Sequence, residues 1–153
     1  QIVLGNMVVV SVMGDSMMEH TIKRKDQLAI NPFYKNIKRQ DIVVYKPKNS
    51  PRPQCGIGRI VGMPGESIEI INGKVYINSK ELPEKYANIE NPLFKCDSNI
   101  ICKIDKINPD EYYILADKRS TPTGSSVWGT INKKDIKGKV LHIWFPIKHR
   151  KRL

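Results

Sequence analysis

The sequence predicts a mainly β protein built from antiparallel strands. Short runs rich in Val, Ile and Tyr recur along the 153 residues, with Pro, Gly, Asn and Asp between them, a spacing typical of antiparallel β proteins. No window of helical length carries apolar residues at positions i, i+3, i+4 and i+7. The chain is long enough for one domain with a hydrophobic core and short for two. We therefore expect a single domain over residues 1–153.

Eight runs are the predicted strands, and one polar stretch interrupts them. In SIEIINGKVYI, Asn72-Gly73 supplies the positive φ values that a type I′ hairpin turn needs. Residues 78–111 are polar and irregular, and we expect them to carry a cap inserted over about 83–111 between two parts of the sheet. The predicted strands are MVVVSV (7–12), QLAI (27–30), DIVVY (41–45), IGRIV (57–61), SIEII (67–71), KVYI (74–77), YYIL (112–115) and KVLHIWF (139–145).

Three cysteines are present, at positions 55, 96 and 102. Cys96 and Cys102 flank the short run DSNII, a spacing that can close a small disulfide loop in an oxidising compartment. Two free thiols are the alternative. The scattered cysteines and histidines do not have the spacing of zinc ligands, and we expect neither a metal nor another cofactor.

The formal net charge of +11 favours an anionic partner such as a membrane with anionic headgroups, a cell-wall polymer or nucleic acid. A solvated basic surface is the alternative. Lys and Arg are not interleaved with an aromatic platform, so we do not expect nucleic acid.

The basic end KHRKRL (148–153) is predicted to be a solvated tail, with a membrane-surface role as the alternative. No stretch reaches the roughly 18 apolar residues of a spanning helix, but the chain starts in mid-pattern, and we expect a membrane anchor upstream.

Four segments, in order, resemble the boxes of type I signal peptidases, the membrane-anchored Ser/Lys proteases that remove signal peptides outside the cytoplasmic membrane. They are GDSMMEHT (14–21), RQDIVVY (39–45), GRIVGMPGE (58–66) and LADKRSTPTGSSVWG (115–129). The resemblance implies the family's coiled antiparallel sheet or barrel with a small cap. It also implies a place at the extracytoplasmic face of the cell membrane.

In the family a serine hydroxyl attacks the peptide carbonyl, and a lysine takes its proton. An ordinary lysine has a pKa near 10.4, so the fold must bury the side chain to keep it neutral. This lysine opens the family's KRxVGxPGD box, and here that position is Gly58. Arg59 is a poor substitute, because a guanidinium stays charged in proteins. The resemblance therefore implies that the base is absent.

The last box has lost the groups that serve the lysine. Laid on the family's GDNRxxSxDSR, the chain keeps Asp117, Arg119 and Ser125, and we expect the first two to hold a strand-loop junction by an ion pair. The orienting serine, the bracing aspartate and its arginine partner fall on Pro122, Gly124 and Ser126.

The nucleophile box has six positions, SMMEHT, where the family's SMxPT has five. Matching from Gly14 puts Ser16 in the nucleophile slot. Matching back from Thr21 puts Met17 there and leaves Asp15 near the oxyanion hole, where a carboxylate would repel the developing charge. Both alignments stay open, and Asp15, Ser16 and Gly58 mark the expected remnant of the active site.

The leading hypothesis is a catalytically silent signal-peptidase-like protein that assists pilus-subunit polymerisation alongside a sortase. It would bind an extended polypeptide, such as a pilin segment, by adding it to a sheet edge. The alternative is an active or weakly active peptidase that uses Ser16 with a non-standard base, for which His20 is the candidate.

Overall fold

The computed structural model describes residues 2–4, 7–14, 21–51, 55–89, 96–120 and 122–153. Within these ranges the protein is mainly β, and each of the eight predicted runs contains a strand. The elements are β1 (Ile2–Leu4), β2 (Met7–Ser11), β3 (Gln27–Asn31), β4 (Ile42–Tyr45), β5 (Gly56–Gly62), β6 (Ile68–Ile71), β7 (Lys74–Ile77), β8 (Lys80–Glu81), β9 (Lys103–Ile104), β10 (Glu111–Leu115), α1 (Ser125–Trp128), β11 (Ile131–Asn132) and β12 (Ile136–Phe145), with 3₁₀ turns at Lys133–Asp135 and Ile147–His149.

The described strands form two antiparallel sheets. The larger one has the order β1-β2-β3-β12-β4-β5-β10-β11 and curls into a half-barrel, and the smaller one has the order β8-β7-β6-β9. The long β12 joins the two halves of the larger sheet, because it pairs with β3 along one edge and with β4 along the other. This confirms the coiled antiparallel sheet that the sequence predicts. No helix in the described ranges is long and apolar enough to cross a lipid bilayer.

The smaller sheet begins with the predicted hairpin. Asn72 and Gly73 have φ values of 49° and 78°, which confirms a turn with two positive φ angles between β6 and β7. The sheet therefore starts at Ile68, upstream of the cap expected over about 83–111, and the limits of that cap stay a prediction. Cys96 and Cys102 are joined by a disulfide, and the Cys102 carbonyl accepts a hydrogen bond of 2.8 Å from the Ile70 amide. Cys55 is an exposed free thiol.

Apolar clusters on both faces of β5 fix its position. Successive side chains of a strand point to opposite faces, so Gly56, Gly58 and Ile60 share one face and Val61 lies on the other. Val61 packs into the cluster that joins the two sheets. On the Gly58 face, the cluster of β4, β5 and β10 contains Ile37, Val43, Tyr45, Ile60, Tyr112, Ile114 and Ile131.

Candidate functional site

Gly58 lies in the middle of β5, where side chains from both neighbouring strands crowd its Cα. It pairs with Val43 of β4. A Cβ built on Gly58 would lie 2.5 Å from Ile114 Cγ2 and 3.2 Å from the carbonyl oxygen of Leu115. Ile114 is fully buried and branched at Cβ, so that methyl group has little freedom to move away. The volume where a side chain at position 58 would begin is therefore occupied.

Tyr45 closes the same volume from β4. It pairs with Gly56 in register, and a Cβ built on Gly56 would lie 2.5 Å from its Cζ. The ring also reaches toward Gly58, since a Cβ there would lie 3.4 Å from Tyr45 Cε1. Burial raises the pKa of Tyr45 to about 12. Gly56 and Gly58 thus leave space on this face of β5, and the buried Tyr45 ring fills it.

Gly124 lies near the hydroxyl end of the same ring and has a backbone conformation that suits glycine alone. Its φ is 62° with ψ of −132°, and a Cβ there would lie 2.3 Å from the Ile114 carbonyl oxygen and 3.4 Å from Tyr45 Oη. The neighbouring Ser125 side chain accepts a hydrogen bond of 2.8 Å from the Ile114 amide. The chain around Gly124 therefore packs directly onto β10, with no room for a bracing carboxylate.

Arg59 points to the other face of β5 and is bound to Asp117. Its Nε donates to Asp117 Oδ1 at 2.8 Å and its Nη2 donates to Oδ2 at 2.7 Å. Thr21 Oγ1 also donates to Oδ2 at 2.7 Å, and the guanidinium lies 4.1 Å over the ring of Tyr86. Asp117 thus connects Arg59 of β5, through a bidentate pair, with Thr21, the last residue of the segment that resembles the nucleophile box.

Arg119 forms a second, more deeply buried ion pair. Its Nη1 and Nη2 donate to the two carboxylate oxygens of Glu84 at 2.9 and 2.6 Å, and its Nε donates to the Ala116 carbonyl at 2.8 Å. The side chains of Arg119 and Glu84 are 3% and 2% exposed. Asp117 and Arg119 thus each form an ion pair, with different partners from distant parts of the chain.

A family model described as signal peptidase, peptidase S26, matches residues 2–145. The chain belongs to this family. A signal peptidase I P of Bacillus subtilis subsp. natto is 32% identical over 144 residues, which cover 89% of this chain and 76% of that protein. A probable signal peptidase I-2 of Synechocystis is 27% identical over 139 residues, which cover 86% of this chain and 61% of that protein.

The fold agrees with that membership. A signal peptidase I from Enterococcus faecalis, solved as a crystal structure, superposes with a TM-score of 0.53 at 23% identity, covering 69% of this chain and 97% of that chain. Signal peptidases of this family are associated with membranes and have their active site on the extracytoplasmic side.

The structure brings together one part of the expected family site, and the other part lies outside the described residues. Gly58 and Gly124, which the sequence resemblance aligns with the family's lysine and bracing aspartate, both lie against Tyr45, and that alignment stays a prediction. Asp15, Ser16, Met17 and His20 lie outside the described residues. The placement of Ser16 and Asp15 in the nucleophile slot therefore stays a prediction.

Asp26 and His149 form a pair that the sequence does not reveal. Asp26 is almost fully buried, and its Oδ1 lies 3.2 Å from His149 Nδ1 while its Oδ2 accepts 2.8 Å from the Lys23 amide. Both residues line a cavity of about 320 Å³ together with Thr21. They are 123 positions apart, so no local motif points to them. No group of three or more His, Cys, Asp or Glu side chains in the described ranges is arranged to hold a metal ion.

We expect Glu84→Gln to lower the free energy of unfolding by about 3 kcal/mol, because it leaves the buried Arg119 guanidinium without a countercharge. Urea unfolding measures the loss. Glu81→Gln is the matched control, since the Lys74–Glu81 pair is 49% and 48% exposed and exposed pairs contribute little. Equal stability of the two variants would contradict the role given to Glu84.

We expect Tyr45→Phe to reduce the loss of stability at alkaline pH. The ordinary tyrosine pKa is 10.0 and burial raises that of Tyr45 to about 12, so the unfolded state releases this proton first as the pH rises. Ionisation of Tyr45 therefore lowers the free energy of unfolding by about 1.4 kcal/mol per pH unit between those two pKa values, and it has no effect below the lower one. Urea unfolding at about pH 8 and pH 11 should show a smaller difference for the variant. An unchanged difference would contradict the burial of this hydroxyl.

Proposed function

We propose that this chain is a catalytically silent member of the signal peptidase family that acts by binding. In this proposal it assists pilus-subunit polymerisation alongside a sortase, at the extracytoplasmic face of the cell membrane. The observation that carries the proposal is the packing at Gly58. The family's base position has no side chain, and Ile114 and Tyr45 fill the space beside it.

Arg59, the described cation next to Gly58 in the chain, does not supply a replacement base. Arg59 is held by Asp117, and a guanidinium stays charged in proteins. Position 124, the expected place of the bracing aspartate, has no room for a carboxylate either, because Gly124 packs on the backbone of Ile114. Removal of a general base typically costs about 10²–10⁴ in rate, so any remaining hydrolysis would be slow.

A binding role needs a surface that an extended polypeptide can join. Among the described strands, β1 and β11 are the outer strands of the larger sheet. An extended segment of a pilin subunit can add to such an edge through main-chain hydrogen bonds, which require no catalytic group. The pilus role itself rests on the resemblance to signal-peptidase-like proteins that lack the catalytic lysine.

Complementation of a Gram-positive strain that carries the pilus genes tests the proposal. Deletion of the gene should abolish the ladder of high-mass pilus polymers on an immunoblot. Wild-type protein and Ser16→Ala should restore that ladder equally, because no acyl-enzyme chemistry is involved. A ladder that persists after deletion, or that Ser16→Ala fails to restore at equal expression, would refute the proposal.

The second candidate is a weakly active peptidase that uses Ser16 with a non-standard base. The Asp26–His149 pair favours it, because a histidine oriented by a buried carboxylate is a common general base, and both line a cavity with Thr21. Cleavage of a signal-peptide substrate by the purified protein, lost in Ser16→Ala, would establish this activity. His149→Ala and His20→Ala would then identify the base.

A further inference from the structure

A polar cavity of about 250 Å³ lies between the loop that follows β4 and the strand β11. Backbone contacts fix its walls. Glu111 of β10 pairs with Asn132 of β11, and the Lys46 amide donates a hydrogen bond of 2.9 Å to the Asp135 carbonyl. Gly58 and Gly124 do not line this space. We name it the β11 cavity, and its lining includes Lys48, Asn49, Glu111, Trp128, Asn132 and Asp135.

Trp128 contributes a partly exposed indole ring to the β11 cavity. It is the last residue of α1 and is 40% exposed. The chain after it turns at once, because Gly129 has a φ of 77° and its amide donates 2.9 Å to the Ser125 carbonyl. A large aromatic ring that stays partly exposed offers a flat apolar face to a ligand. The backbone that carries this ring is therefore fixed by the fold of the free protein.

Glu111 and Asn132 place an acceptor and a donor side by side in this cavity. They are directly opposite in the ladder of β10 and β11, so their side chains share a face and start about 5 Å apart. Glu111 Oε2 accepts 2.6 Å from Thr130 Oγ1, and no hydrogen bond within the described residues engages Oε1. Asn132 Oδ1 accepts 3.1 Å from the Lys134 amide, which leaves Nδ2 to donate to a ligand. A hydroxyl group, which both donates and accepts, matches this pair.

The charges of the β11 cavity cancel, although the chain has a formal net charge of +11. Among the described residues that line it, Lys48 and Lys134 are balanced by Glu111 and Asp135. An anionic ligand would lie close to two carboxylates, and a cationic one close to two ammonium groups. The cavity therefore offers no net attraction to offset the desolvation of a charged ligand.

The basic end of the chain, KHRKRL (148–153), lines other cavities. The prediction of a solvated tail is wrong for its backbone, which runs back along β12. The Ile143 amide donates to the Lys151 carbonyl, and the Leu153 amide donates to the Leu141 carbonyl, both at 3.0 Å. We expect an anionic glycan to be attracted to this end of the chain rather than to the β11 cavity.

We infer that the β11 cavity binds one uncharged pyranose ring of a glycan. A pyranose has a face of C–H groups, which packs on an indole ring, and hydroxyl groups around its edge that each donate and accept. Glu111 and Asn132 serve two neighbouring hydroxyl groups, and Trp128 contacts the C–H face. A purely apolar ligand would leave the polar lining without partners. This site does not rest on the proposed silent role.

Fluorescence titration of the full chain tests the inference. The chain has two tryptophans, so Trp144→Phe leaves Trp128 as the single indole. The probes are three neutral trisaccharides: tri-N-acetylchitotriose, cellotriose and maltotriose. We expect at least one to change the Trp128 emission with a Kd of about 1 mM, as for a small ligand in an open site. Salt between about 50 mM and about 500 mM should change that Kd by less than about twofold, because no net charge is involved. No binding of any probe up to about 10 mM would overturn the site.

Variants of the aromatic ring are compared by saturation-transfer NMR of the bound trisaccharide. Trp128→Leu should weaken binding about tenfold, because leucine is apolar but has no ring face. Trp128→Phe keeps a ring and should recover most of the affinity, which separates ring stacking from a loss of folding. Phe33→Leu is the matched control, since Phe33 is 68% exposed and does not line the cavity. Full binding by Trp128→Leu, or an equal loss in Phe33→Leu, would refute the assignment.

Glu111→Gln tests the hydrogen-bonding side of the cavity. It keeps an acceptor for Thr130 and should weaken trisaccharide binding about tenfold, since hydrogen bonds to a charged group are the stronger ones. Glu81→Gln, at an exposed position of the smaller sheet, should leave the Kd unchanged. Equal Kd values for these two variants would contradict the role of Glu111.

The anionic trisaccharide trigalacturonate separates a neutral from a charged occupant. We expect that it does not displace the neutral sugar from Trp128. Displacement would show that the cavity takes anions and would overturn the neutral ring. None of these variants alters Ser16, Gly58 or Gly124, so pilus complementation is scored separately.

Discussion

Gly124→Asp is expected to lower the free energy of unfolding by at least about 4 kcal/mol, enough to leave little folded protein. The substitution introduces the aspartate that the sequence resemblance predicts for the family at this position. Its Cβ would lie 2.3 Å from the Ile114 carbonyl oxygen, and that oxygen belongs to the backbone of β10, where Ile114 is paired with Ile60 of β5 and has little freedom to move aside. The φ of 62° adds strain for any residue with a side chain.

Two alanine variants separate the causes of that loss. Gly124→Ala keeps the clash and the strained φ and adds no charge. Gly129→Ala shares a positive φ of 77°, but its nearest neighbour is Ile101 Cδ1 at 3.7 Å, so it should cost only the backbone strain of about 1–2 kcal/mol. Urea unfolding compares them. Equal losses in the two alanine variants would show that position 124 has room for a side chain.

Gly58→Lys is expected to cost at least about 3 kcal/mol and to restore no peptidase activity. A lysine that acts as a base must lie among apolar groups that keep it neutral. In this chain Ile114 and Tyr45 occupy the space where a side chain at position 58 would begin. The side chain would either displace the core or be forced away from its functional position. A Gly58→Lys protein with wild-type stability that cleaves a signal-peptide substrate would contradict the proposed silent role.

A smaller substitution at position 58 measures the stability cost of the contact with Ile114 alone. Gly58→Ala should cost about 1–3 kcal/mol through its contact with Ile114. Gly14→Ala is the matched control, because no heavy atom of the described residues, its chain neighbours aside, lies within 4 Å of a Cβ built there, and it should change stability by less than about 0.5 kcal/mol. In the background of Ile114→Ala, the cost of Gly58→Ala should fall, since that variant removes the methyl group it meets. An unchanged cost would place the obstruction elsewhere.

The strands were predictable where packing gives the sequence a clear pattern. Runs such as DIVVY and YYIL are buried on both faces and therefore carry continuous β-branched and aromatic residues. β8, β9 and β11 have two residues each, and a pattern of period two needs more than that to be seen. Their pairing is set by neighbouring strands, so no local sequence pattern indicates them.

The sequence predicts which residues stand at the candidate site, but it does not predict how their side chains pack. The sequence shows at once that Gly58 has no side chain. It does not show that Tyr45 fills the gap, because that depends on the register of β4 against β5, and a shift of one residue would turn the ring to the opposite face. The same holds for the ion pairs, since Asp117 and Arg119 find partners 58 and 35 positions away.

The bidentate pair between Arg59 and Asp117 has a consequence for how family membership can be interpreted. Both residues belong to the segments that resemble the signal peptidase boxes, and here they join β5 to the segment just after β10, to which Thr21 also donates a hydrogen bond. Such a pair stabilises the folded chain whether or not that chain cleaves a bond. The residues by which the family is recognised are therefore not the residues that carry out catalysis, and only the catalytic residues predict whether an assay will detect cleavage.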